Sequence, residues 1–362
     1  MMAVEKGWNI SPLLTTGANV NSQNKLGETA LHLVSDHMYE HAPINERQSN
    51  TEQLIAARAD VNVQDKKGNT PLMTAVKKGW NISPLLTAGA NVNSKNRLGE
   101  TALHLVGDEH KGDWYGYALI KARQSNTEQL IAAGADVNVQ DEEGNTPLMM
   151  AAMAGRNISP LLTARADVTS KNGLGKTALH LVCEHRYPLF GDSVTHKRVT
   201  EQLIAAGADV NVQDKDGNTP LMMAVKTERN ISPLLTAGAN VNSKNGLGKT
   251  ALHLVSDHMY EHALINERQS NTEQLIAAGA DVSAQDEDGN TPLHICVKNN
   301  DYRSVKALLG VLPSDVNIRN RNGKSALDLA EEAEEEFSGK DHNYRLVHRN
   351  ILMILKGITQ KQ

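Results

Sequence analysis

The chain has 362 residues, 40% of them hydrophobic but only 3% aromatic, and a formal net charge of −5. A core built from it must be Leu, Ile, Val, Ala and Met, and the acidic balance argues against a general nucleic-acid surface, which needs clustered positive charge. No apolar run approaches the roughly 18 residues that span a bilayer.

The chain opens on Met1-Met2-Ala3-Val4, which aligns with Met222-Met223-Ala224-Val225. It therefore begins inside a first helix whose preceding Gly-Asn-Thr-Pro-Leu phrase is missing. An uncapped first unit exposes an apolar face. Residues 1–26 are thus expected to be a partial repeat, from the downstream part of a longer protein or a shortened gene copy. No basic-then-apolar leader is present, and a cytoplasmic location is expected.

Two phrases then alternate. LGETALHLV or LGKTALHLV starts at Leu26, Leu98, Leu174 and Leu247; GNTPLM starts at Gly68, Gly144 and Gly217, and GNTPLH at Gly289. Self-similarity at a fixed period marks a repeat array. Long and short units alternate, eight of them over residues 27–322. In the short unit, Asp65 and Gly68 suit the first and fourth places of a type I turn. Thr70 and Pro71 predict a helix start, with Leu72, Met73, Ala75 and Val76 on its apolar face. Ser83-Pro84 predicts the cap of a second helix, closed by Gly89 in the left-handed conformation. Each unit reads as helix, loop, helix and β-turn finger. Long units add about 8 to 12 residues between their helices. Residues 323–362 complete the array as a cap: Ala326 to Ala330, the acidic run Glu331–Glu336, and an amphipathic helix over about Tyr344–Lys356.

These phrases resemble the ankyrin repeat family, whose unit is about 33 residues with a T-P-L-H-x-A phrase. Thr291-Pro292-Leu293-His294 matches it, Thr29-Ala30-Leu31-His32 matches with Ala for Pro, and Gly134 to Asn138 resembles the family's second-helix exit. The resemblance covers about residues 1–355. It implies an all-α repeat fold: an ankyrin-type solenoid of helix–loop–helix units with β-turn fingers, long and short units alternating. It further implies a non-enzymatic scaffold with a protein partner, no cofactor and no small-molecule substrate. Three departures stand out. The second helix of short units is clipped, Arg58 and Arg165 replace the closing Gly, and Met73, Met149 and Met222 stand where the family has His.

Several stretches are candidates for chemistry. His37-Met38-Tyr39-Glu40-His41 and its copy His258 to His262 read H-x-x-E-H, the spacing of a zinc hydrolase. The long-unit copies with Asp108-Glu109-His110 and Cys183-Glu184-His185 lack it, so a copied surface insertion is the expected reading and no metal site is expected. Gly173-Leu174-Gly175-Lys176-Thr177 resembles the end of a phosphate loop, but Ser170 stands where that motif needs its first Gly. His32, His104, His180 and His253 are expected to be structural hydrogen bonders between units. Asn-Ile-Ser at 9, 81, 157 and 230 is expected to be a helix cap. Cys183 and Cys296 are expected as small core residues in a reduced compartment.

A partner is expected on the finger row, the concave helix face or the insertions. Charged finger tips, Arg97, Asp141-Glu142-Glu143 and Asp286-Glu287-Asp288, suit a charged protein partner. Trp114, Tyr115, Tyr117, Tyr187 and Phe190, in the insertions, are the expected aromatic anchors. A further possibility is that the chain is the targeting arm of a larger protein, such as a microbial effector acting in a host cell.

Overall fold

The computed structural model describes residues 2–5, 8–36, 44–107, 116–185, 192–256, 265–311, 316–336 and 342–360, and among the described residues there are helices and turns but no strand. It forms two compact units, Met1–Gly173 and Leu174–Gln362.

In the first unit the inner helices are Met2–Glu5, Ala30–Asp36, Pro71–Lys77, Ala102–Leu105 and Pro147–Met153, each packed on the next. The outer helices are Ser11–Thr15, Ile44–Ala56, Ser83–Thr87, Gly116–Ala132 and Ser159–Thr163. The second unit repeats the scheme. Its inner helices are Ala178–Glu184, Pro220–Lys226, Ala251–Leu254, Pro292–Lys298 and Ala326–Glu336. Its outer helices are Asp192–Ala205, Ser232–Thr236, Ile265–Ala277, Tyr302–Leu309 and His342–Thr359.

The short unit shows why these residues fold this way. Thr70 has extended backbone, and its hydroxyl accepts from Met73 N at 3.3 Å, capping the helix. Pro71 takes the first turn, where a missing N–H costs nothing. Leu72, Met73, Ala75 and Val76 are all buried, and removing such side chains from water is worth roughly 1.5–3 kcal/mol each for the larger ones. Gly79, at φ +69°, ends the helix.

The second short helix begins differently from expectation. Ser83 is not its cap: Ile82 occupies the cap position with helical backbone and makes no capping bond. Asn81 Oδ1 accepts from Ser83 N at 3.0 Å, while the Ser83 hydroxyl donates to Gln129 Oε1 of the next long unit at 2.7 Å. Ser11–Gln53 and Ser232–Gln274 repeat that link at the same distance. The serine therefore ties outer helices together. Its isoleucine neighbour, Ile82 or Ile231, has no exposed surface at all, so burying that side chain sets the entry angle.

Gly89 closes the helix at φ +85°, and Ala90 N donates back to Leu85 O at 3.0 Å. Arg58 and Arg165 adopt the same conformation, at φ 65° and 62°. Both departures from Gly thus carry left-handed backbone strain, roughly 1 kcal/mol each.

Part of the long-unit insertion lengthens the outer helix. Gly116–Ala132 has 17 residues against 5 in Ser83–Thr87. The last outer helix, His342–Thr359, buries Ile351, Leu352 and Leu355 against the helices before it. His348 Nε2 meets Ala330 O at 2.9 Å, and Lys356 pairs with Glu331 at 3.0 Å. Cys183 and Cys296 are unpaired and fully buried; burial pushes the Cys183 thiol up to about 12 and raises that of Cys296 further. Among the described residues, no helix is long and apolar enough to cross a membrane.

Candidate protein-interaction surface

The fingers are rigid because a carboxylate or amide anchors each one. Asp65 Oδ1 accepts from the backbone of Lys67 and of Asn69, both at 2.8 Å, while Gly68 N donates to Asp65 O at 2.9 Å. Asn96 Oδ1 does the same for Leu98 and Glu100. Two residues are left at each tip: Lys66-Lys67, Arg97-Leu98, Glu142-Glu143, Lys215-Asp216, Gly246-Leu247, Glu287-Asp288.

Neighbouring tips are stitched through their backbones. The first tip residue donates to the carbonyl of the second tip residue of the preceding finger. Lys66 N reaches Leu26 O at 2.9 Å, Arg97 N reaches Lys67 O at 3.0 Å, and Glu142 N reaches Leu98 O at 2.9 Å. In the second unit Lys215, Gly246, Glu287 and Arg321 repeat this onto Leu174, Asp216, Leu247 and Asp288. Glutamines clamp the joint: Gln64 Nε2 donates to Gly68 O and to Lys95 O, both at 2.9 Å. Asparagine side chains form a second ladder, with Asn96 on Asn69 at 3.1 Å and Asn245 on Asn218 at 2.9 Å.

The long-unit histidines tie the fingers to the helices, as expected. Thr29 N donates to His32 Nδ1 at 3.1 Å. A backbone N–H has no acceptor role, so Nδ1 is unprotonated and Nε2 carries the hydrogen, which it donates to Asn69 O of the next unit at 3.0 Å. His104, His180, His253 and His294 repeat the arrangement onto Asn145, Asn218, Asn290 and Lys324. Burial holds His32, His104, His253 and His294 below the usual imidazole value, partly offset by those carbonyls. They are neutral linkers, not bases. The short unit from Gly289 has His294 in this place, but in those from Gly68, Gly144 and Gly217 a Met does half the work: Met73 Sδ accepts from Thr70 N at 3.4 Å, but it has no hydrogen to offer the next unit.

The predicted site residues divide sharply. Glu142, Glu143, Glu287, Asp288 and Arg97 are exposed at finger tips. Asp141 and Asp286 are the anchors of their fingers: each Oδ1 accepts two backbone N–H groups, from Glu143 and Asn145 and from Asp288 and Asn290. Their carboxylates are consumed internally. Trp114, Tyr115, Tyr187 and Phe190 lie outside the described residues, as do both H-x-x-E-H stretches. Tyr117 is in the first turn of Gly116–Ala132, its side chain outside the description. Among the described residues no three His, Cys, Asp or Glu side chains gather as a metal site. The Lys176 ammonium lies 2.6 Å from Glu184, so the phosphate-loop lookalike spends its lysine on an ion pair.

One feature of the tips escaped the sequence reading. Leu26, Leu98, Leu174 and Leu247 are 62%, 62%, 60% and 59% exposed, one at each long-unit tip. Their signal was an apolar residue inside a turn, hidden because the leucine opened a repeated phrase. Beside the row, in the second unit, an open groove of about 880 Å³ runs between fingers and inner helices, lined among others by Lys176, Asp214, Lys215, Asp216, Lys226 and Leu247.

Comparison with known proteins agrees with this architecture. The family described as ankyrin repeats (3 copies) matches residues 38–109, 117–190 and 193–265, and ankyrin repeats (many copies) matches 275–330. This chain belongs to the ankyrin repeat family. Among its relatives, human Rabankyrin-5 is 31% identical over 233 residues, covering 57% of this chain and 19% of that protein. The NF-kappa-B p105 subunit of Gallus gallus is 32% identical over 221 residues, covering 56% and 20%. Human transient receptor potential cation channel subfamily A member 1 is 30% identical over 243 residues, covering 66% and 20%. The chain thus spans about a fifth of the length of these relatives, and the ankyrin array is what it has in common with them. Ankyrin repeats generally serve as protein-interaction modules.

Proposed function

We propose that this ankyrin array is a non-enzymatic scaffold that binds a protein partner on its finger row and the groove beside it. The observation that carries the reading is the finger row itself. Its backbone is locked by anchors, stitches and glutamine clamps, while its tip side chains, charged or leucine, stand in water. Rigid presentation of charged and apolar groups lowers the ordering cost of binding. The histidines of the repeated ALHL and PLHI phrases are buried and committed to backbone partners.

The test is selection of an unbiased displayed peptide library against the full chain. The reading expects enriched peptides whose binding is lost when Leu98 and Leu247 are changed to Asp or when finger-tip charges are reversed. A library that enriches nothing over a blank surface refutes it.

A further inference from the structure

Two stretches of this chain are near copies. Residues 27–72 and 248–293 differ at seven of 46 positions: Glu28/Lys249, Pro43/Leu264, Arg58/Gly279, Asn62/Ser283, Val63/Ala284, Lys66/Glu287 and Lys67/Asp288. Three of the seven invert a charge. All three lie on the finger tips or on the residue just after the finger glycine, at the groove. The outer helices of the pair are identical over the 13 residues of Ile44–Ala56 and Ile265–Ala277. Charge therefore inverts between copies only at the fingers and the groove; the one other change of charge, Arg58 to Gly279, falls at the left-handed exit of the outer helix.

Five places recur around each short-unit finger. They are the residue after the previous finger glycine, the first tip residue, the last inner-helix residue, the residue before the next finger's asparagine, and the residue after the next finger glycine. Around the finger at 65–68 they hold Glu28, Lys66, Lys77, Lys95 and Glu100. Around the finger at 286–289 they hold Lys249, Glu287, Lys298, Arg319 and Lys324. Around the finger at 214–217 all five are lysine: 176, 215, 226, 244 and 249. Those five line the groove of the second unit.

Three acids also line that groove, so the five lysines outnumber them. Glu184 is paired with Lys176, Asp214 Oδ1 accepts from the backbone of Asp216 and Asn218, and Asp216 is exposed at the tip beside Lys215. Lys215, Lys226 and Lys244 are exposed, and Lys244 donates to the neutral carbonyl of Gln285, which leaves its charge uncancelled. Exposed Leu247 adds an apolar contact at the rim.

We infer that this groove receives an extended acidic segment, rich in Asp and Glu, of a partner protein. The inference rests on the protein-binding reading above and names the chemistry of the partner at one place. A nucleic-acid strand fits less well. The finger after next, Glu287-Asp288, would repel a phosphate backbone running along the row, whereas a peptide meets the lysines with carboxylates and turns away beyond them. Among the described residues that line the groove there is no aromatic for a base to stack on.

The experiment is fluorescence anisotropy on the full chain at low salt, with three labelled probes: a Glu-rich 12-residue peptide, a Lys-rich 12-residue peptide, and a 12-nucleotide oligothymidylate. The chain with Lys215→Glu, Lys226→Glu and Lys244→Glu is measured alongside, its melting by circular dichroism serving as the folding control. The expected result is that the Glu-rich peptide binds at least tenfold more tightly than either other probe. It should lose at least tenfold in the triple variant at unchanged melting, and weaken as salt rises. Absence of binding, equal binding by the triple variant, or tighter binding of the oligothymidylate overturns the inference. A chain that ignores the Glu-rich peptide yet still enriches displayed peptides loses this inference and keeps its scaffold function. One that enriches none loses both.

Discussion

The finger glycines offer the sharpest test of how the array is held together. Gly68 sits at φ +81°, and a Cβ built there would lie 2.8 Å from Arg97 N, 3.0 Å from Asn96 Cα and 3.1 Å from Asn96 C. All three are backbone atoms of the next finger; the first contact is closer than real Cβ atoms come, and the other two are tight. Gly89 has the same backbone sign, φ +85°, with nothing within 4 Å of its Cβ position, and Gly323, on the last finger, is equally open. Gly89→Ala and Gly323→Ala should therefore cost only the left-handed penalty, about 1–2 kcal/mol. Gly68→Ala must also push the next finger away. It then forfeits the Arg97 N to Lys67 O bond and weakens the Gln64 clamp, at about 0.5–1.5 kcal/mol for each bond. The expected sum is about 2–4 kcal/mol. Because repeat arrays depart from two-state unfolding, the local readout matters most: amide exchange at Arg97 should speed up in Gly68→Ala and stay unchanged in Gly323→Ala. Equal destabilisation by Gly68→Ala and Gly89→Ala, with Arg97 exchange unaffected, would refute the account of stitched fingers.

Other predictions follow from the same contacts. Met222→His should supply a ring donor toward the Lys249 carbonyl, which accepts from Asn245 N at 3.0 Å, and raise the urea midpoint by the equivalent of about 0.5–1.5 kcal/mol; a lower midpoint would mean the methionine pocket rejects the ring. Arg58→Gly should relieve about 1 kcal/mol of backbone strain, seen as a higher midpoint, and a loss would show that the Arg58 side chain contributes more than its backbone costs. Acid should destabilise the chain early. His32, His104, His253 and His294 are lowered by burial, and His196 is lowered to about 3 by burial and the neighbouring Arg229 charge. The unfolded chain then binds more protons, so stability is full above the ordinary imidazole value near 6.5 and is lost as pH falls below it, by up to about 1.4 kcal/mol per pH unit for each histidine. Urea midpoints at pH 7.5, 6.5, 5.5 and 5.0 check this, and a flat profile would contradict it. His196→Leu should shallow that profile, since both ring nitrogens of His196 are buried without a hydrogen-bond partner; an unchanged slope would assign the acid sensitivity elsewhere.

Much of the fold was legible because each unit repeats the same local chemistry. Thr-Pro at the inner helix, Asp or Asn just before the two tip residues, and Gly just after them are short-range signals, and repetition makes them loud. Ser83 was misread for an instructive reason. A serine before proline looks like a cap, but the buried Ile82 pulls the chain into helical backbone one residue early, which hands the capping role to Asn81 and frees the hydroxyl for Gln129. Long-range partners of this kind carry no local signature. At the surface, exposed Glu142 and Glu287 were readable as tips, and the Asp-x-x-Gly spacing that makes Asp65 a turn opener marks Asp141 and Asp286 as well, although they stand with the tips among the expected partner contacts. The geometry shows their carboxylates already holding the turn.

The buried and exposed layers of the array answer to different constraints, and the near-copied stretches separate them. Thr–His pairs and finger glycines such as Gly68 are kept because they meet the neighbouring unit, and the anchors because they hold the turn of their own finger. A tip residue is stitched to its neighbours through its backbone, which leaves its side chain largely free to change; Glu143, whose Oε2 accepts from Asn145 Nδ2 at 3.3 Å, is an exception. Lys66-Lys67 and Glu287-Asp288 occupy the same stitched geometry, with Lys66 N on Leu26 O at 2.9 Å and Glu287 N on Leu247 O at 3.1 Å. A row of backbone-stitched fingers can therefore take opposite charges at the same place with no cost to its own folding. That independence lets one fold offer a mixed face at the finger at 65–68 and a five-lysine groove at the finger at 214–217.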